Sequence, residues 1–64
     1  MTQNGQEKVL RAGFTVIRKD DNGHVAIKKL RSPGVWVLLE KFPTKASRDQ
    51  KFIQMLHDPL IIED

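Results

Sequence analysis

The most continuous apolar run of the chain lies in the stretch from Val35 to Leu56. Val35 to Phe42 is apolar on both faces, which predicts a well-buried strand. Phe42-Pro43 ends it, because the residue before a proline avoids the helical region and proline cannot donate to a ladder. Beyond that corner Ala46, Asp49, Phe52, Ile53 and Leu56 recur at helical spacing, and Pro59 stops the pattern. A helix is therefore expected from Thr44 or Lys45 to His57. Thr44 offers a cap for its first-turn amides, and Ser47 with Gln50 offers a second, capping-box-like start.

Upstream, Leu10, Ala12, Phe14 and Val16 alternate with Arg11, Thr15 and Lys19, with Ile17 as the exception. Period-two alternation predicts a first strand over about Gly13 to Lys19, with Gly13 at a bulge or bend. Asp20-Asp21-Asn22-Gly23 is a strong hairpin turn signal. A second strand follows from about His24 to Leu30. Val25 and Ile27 favour one face and Ala26 and Leu30 the other; the loop length decides between them, because a one-residue slip exchanges the faces. Ser32-Pro33-Gly34 suits a type II turn into the third strand. Residues 1–8 are polar with nothing to bury, so a disordered segment is expected there, followed by one small domain over 9–64.

The expected fold is α+β: a three-stranded antiparallel β-meander followed by one C-terminal helix (β-β-β-α), with a short apolar tail. Three large aliphatics, Leu60-Ile61-Ile62, are expected to pack back or to pair with a sheet edge. In element order, and in that alone, the chain is similar to the small DNA-binding domains of some phage-type integrases and plant AP2-like factors. The third strand points Trp36, Leu38 and Phe42 one way and Val35, Val37 and Leu39 the other. One helix covers one face, so the second apolar row needs a lid, from the tail or from another copy of the chain. Val35, Val37, Leu39, Leu60, Ile61 and Ile62 are the expected interface of such a homodimer.

Composition removes several classes of function. The 64 residues include no cysteine, so there is neither a disulfide framework nor a thiolate metal site. The longest apolar run, Val35 to Leu39, falls far short of the ~20 residues that span a bilayer. With no apolar leader in the first residues, no membrane partner and a cytoplasmic location are expected. His24 and His57 are far apart, without carboxylates at ligand spacing, so no metal is expected. The four glycines are isolated and form no phosphate loop. Neither Ser32 nor Ser47 has a base arranged nearby. No enzymatic activity, cofactor or small-molecule substrate is expected.

Charge adds the one positive signal. The net charge is +3, but residues 8–41 carry eight Lys and Arg against three Asp and Glu. A sheet presenting Arg11, Lys19, Lys28 and Lys41 outward, with Lys29 or Arg31 beside them, can lie against phosphates. The leading expectation is a non-enzymatic nucleic-acid-binding module, with DNA as ligand. The alternative is a protein-interaction or structural module that self-associates through the second face of the third strand and the tail. Asp49 falls inside the apolar stripe of the helix. It either anchors helix to sheet, through a strand cation or the Trp36 indole N–H, or lies solvated at the stripe's edge.

Overall fold

A computed structural model of the chain describes residues 1–64. The elements run α1 (Gln3–Arg11), β1 (Thr15–Asp20), β2 (Ala26–Ser32), β3 (Val35–Lys41), α2 (Lys45–Met55) and β4 (Ile61–Glu63). The strands form one sheet in the order β3-β2-β1-β4. β1, β2 and β3 are an antiparallel meander, and β4 lies parallel to β1, with Val16 opposite Ile62. The fold is thus α+β, as the patterning indicates, but a helix precedes the meander and a fourth strand follows α2. No helix is long and apolar enough to cross a membrane.

Residues 1–8, expected to be disordered, instead form most of α1. Thr2 caps it, its side chain accepting from the Gly5 N–H at 3.1 Å. At the other end Gly13, at φ 91°, takes the left-handed conformation that closes a helix. The Gly13 N–H donates to the Leu10 carbonyl and the Phe14 N–H to the Val9 carbonyl, the paired bonds of a Schellman ending. Gly13 is therefore a helix stop, not a bulge within a strand, and β1 begins two residues later. The helix-first order also removes the similarity in element order to integrase-type domains.

The two hairpin turns follow their residue types. Asp20 accepts the Asn22 N–H at 3.0 Å, and Gly23 has φ 81°. Pro33 and Gly34 form the second turn, with Gly34 at φ 76°. β2 starts two residues after His24, and its facing is now defined. Successive strand residues point to opposite faces, so the complete burial of adjacent Val16 and Ile17 means that both sheet faces are covered at the start of β1. α2 seals one face by setting Phe52 on Ile17 and Ile27, with Phe42, Met55, Leu56 and Ile61 packed around them. α1, which lies against β1 and β2, seals Val16 and Leu30 on the other.

Thr44 caps α2 as expected, accepting the Ser47 N–H at 3.1 Å; the Ser47 hydroxyl donates back to the Thr44 carbonyl, so Ser47 supports this cap instead of starting a second one. The helix ends at Met55, leaving His57 outside it. Its inward stripe is Arg48, Phe52, Met55 and Leu56, while Ala46 and Ile53 are exposed. The expected stripe is displaced because the long side chain of Arg48, paired by carboxylates, occupies an inward position.

β3 departs most from expectation. Ile27 pairs with Glu40 but Lys28 with Leu38, so Leu39 is an extra residue in the ladder. This bulge inverts the alternation beyond it: Trp36 and Leu38 share the α1 face, whereas Phe42 turns to the α2 core. The tail pairs with β1 at the edge remote from β3, so it is not a lid over β3.

Candidate nucleic-acid interface

The sheet face shared with α1 is half open. α1 is fixed at the Gly34 end, where buried Gln6 accepts the Gly34 N–H at 2.9 Å, and its last residues lead directly into β1. Gln3 also lies beside Gly34, so α1 is anchored at this end of the sheet. Cross-strand pairing places Arg18 beside Lys28, Lys28 beside Leu38 and Lys41 beside Ala26, all on this face and toward the uncovered end. Trp36 pairs with Leu30 on the same face, and the Arg18 guanidinium lies over its ring, 4.2 Å from the centroid. The result is an aromatic–cation stack flanked by two lysines and by Leu38, which is 49% exposed.

One acid belongs to this patch. Asp20 receives Lys28 Nζ at 3.1 Å and the Asn22 N–H, and both hold its carboxyl below the usual carboxylate range, the backbone bond most of all. Its side chain is 8% exposed against 31% for Lys28, so the positive partner is the one that faces solvent.

The six cations expected on one face are divided. Lys28 and Lys41 lie on the open half-face. Lys19 and Lys29, paired with Ile27 and Ile17, lie on the α2 face, where Lys19 reaches Asp49 at 3.6 Å and sits over the Phe52 ring. Arg11 is on α1, paired with Glu7 at 2.7 Å. Arg31 projects from the ladder irregularity between Leu30 and Ser32. The sequence reading missed Arg18 as a site residue. Its place two residues after Val16, on the opposite face to Ile17 and Lys19, was the available signal.

The expected interface residues are likewise separated. Val35, Val37 and Leu39 belong to β3 and Ile61 and Ile62 to β4, at opposite edges of the sheet, with Leu60 exposed just before β4. They form no common surface.

Asp49 is paired, through strand cation Lys19 and through Arg48 Nε at 3.0 Å; Trp36 is on the other face of the sheet. Arg48, 4% exposed, is the centre of this group. Its guanidinium binds Asp49 on one side and on the other the Asp21 carboxylate and the Asp20 carbonyl, the latter at 3.3 Å. The Arg48 bond holds Asp21 below its usual range, and the two carboxylates hold Arg48 further toward its charged form. With every buried polar atom satisfied, this cluster fastens the β1–β2 turn to α2. It is an ion network built around the buried Arg48.

No family model matches the chain, and neither the curated proteins nor the solved structures contain a match to it.

Proposed function

We propose that the protein is a non-enzymatic nucleic-acid-binding module that uses the open half of the α1 face. The observation that carries this is the Arg18–Trp36 stack with Lys28 and Lys41 on the same uncovered surface. Phosphates need positive charge along a groove or face, and a planar guanidinium held on an indole gives an unstacked base a surface to stack on. Single-stranded DNA suits this patch better than a duplex, whose bases are already stacked. Arg18, Lys28 and Lys41 contact phosphates or bases, Trp36 backs the stack, and Leu38 excludes water beside it.

Titration with single-stranded and duplex oligonucleotides tests the reading, with Trp36, the one tryptophan, as an internal fluorophore. Single strands should quench Trp36 emission and bind more tightly than duplex. Their log–log salt slope should be roughly −0.7 per phosphate contact, or about −2 for three cations. Replacing Arg18 and Lys41 by Gln should bring that slope to about −0.7 while Lys19→Gln and Lys29→Gln, on the other face, leave it unchanged. Absence of binding at low salt, or equal sensitivity to the two pairs of substitutions, overturns the assignment.

A further inference from the structure

The two edges of the sheet are treated differently. β4 is three residues long, follows Pro59 and ends in Glu63, so its outer edge is short and bounded by a charge. β3 is seven residues long, lacks proline, and is apolar from Val35 to Leu39. It is the terminal strand of an open sheet, and Val35, Leu38 and Leu39 are each between 44% and 49% exposed. A long, apolar, unpaired edge is a template for another strand.

We propose that β3 pairs with β3 of a second copy, antiparallel about a two-fold axis through Val37. An axis perpendicular to the sheet keeps faces together, so only residues on the same face can oppose one another. Placing the axis at Val37 sets Val37 against Val37 of the second copy on the α2 face. On the α1 face it sets Trp36 against Leu38, twice by symmetry. Every central pair is then apolar, and the aromatic–aliphatic pairs are of a kind that stabilises sheets. Glu40 and Lys41 lie beyond this stretch, so no like charges are opposed. The bulge at Leu39 falls at each end of the paired segment, which limits the ladder to one short seam, and the isologous contact closes at two copies. The product is a continuous eight-stranded sheet whose remaining edges are the two short β4 strands.

Pairing of β3 in this way is independent of nucleic-acid binding. Sedimentation equilibrium of the full chain should show a monomer–dimer equilibrium in the micromolar to millimolar range, with Tm rising with protein concentration. Leu38→Lys should give a monomer with an unchanged circular dichroism spectrum. Ile53→Lys, at a comparably exposed apolar position on α2, should leave the dimer intact. A wild-type chain that stays monomeric at millimolar concentration overturns the proposal and leaves the edge to a strand of a different protein. Loss of the dimer in Ile53→Lys but not in Leu38→Lys moves the contact to α2 and overturns it equally. The register has its own test should Leu38→Lys not fold. The chain has no cysteine, and directly opposed strand residues have Cα atoms about 4.5–5.5 Å apart, within disulfide reach. Val37→Cys should therefore oxidise to a covalent dimer faster than Leu38→Cys, and the reverse order refutes the axis at Val37.

Discussion

Arg48 and Gly34 show how single residues hold the helices to the sheet. A buried guanidinium is tolerable only when its donors are met, and removing one partner leaves the others desolvated for less return. Asp21 is the partner accessible to titration. Folding makes both Asp20 and Asp21 more acidic, so as pH falls the unfolded chain takes up their protons first. Their stabilisation is complete above the unfolded value of 3.8 and is lost as pH drops through the lower folded values. Tm should accordingly be flat near neutrality and fall on acidification below about pH 4. Asp21→Asn should start from a lower Tm at neutral pH and fall less steeply in acid; parallel curves for the two proteins would remove Asp21 from the account. Gly34 carries the opposite kind of constraint. Its φ of 76° is unfavourable for any side chain, and an added Cβ would lie 2.7 Å from Gln3 Nε2. Gly34→Ala should destabilise by about 1–2 kcal/mol in urea unfolding from the backbone conformation alone. Gly23→Ala, with open space around the same conformation, measures the backbone part by itself, and the difference is what the α1 contact adds.

At the scale of elements, what could be read in the sequence was whatever local chemistry determines. The Asn22-Gly23 and Pro33-Gly34 turns, the Thr44 cap and the antiparallel meander all follow from residue types a few positions apart. α1 was missed although both of its boundaries are marked, by Thr2 and Gly13. Gly5 and Asn4 weaken its propensity, and Leu10, Ala12, Phe14 and Val16 happen to alternate across the helix end and the start of β1. That helix owes its stability to tertiary contacts, above all Gln6 with the Gly34 turn and the burial of Val16 and Leu30, which no short window contains. β4 was half legible: an aliphatic tail announces burial, but not that its partner is β1, 46 positions earlier. The facing of β3 was illegible for a different reason. One extra residue at Leu39 inverts every position after it, and the sequence around a bulge carries no mark beyond what a regular strand shows. The six cations could likewise be counted as basic before α1 and the strand registers divided them between two faces and a helix.

For the molecule as a whole, the consequence is a gradient of stability across the sheet. β1 and β2 are central and contain Val16, Ile17, Ala26, Ile27 and Leu30, none more than 1% exposed. Opening them requires loss of both helices, so their amides should exchange only through global unfolding. β3 is held by β2 on one side, and its apolar surface extends into solvent. Its outward amides should exchange by local opening at low protein concentration, far faster than those of β1 and β2. If β3 is the seam between two copies, raising the concentration should protect the amides around Val37 while β4 amides facing away from β1 stay unprotected. Hydrogen exchange read residue by residue at two concentrations separates the outcomes. Uniform protection across all four strands would mean that the sheet opens as one unit, against the gradient. Protection that appears first along β4 would place the contact between copies on the short edge, where Pro59 and Glu63 leave little strand to extend.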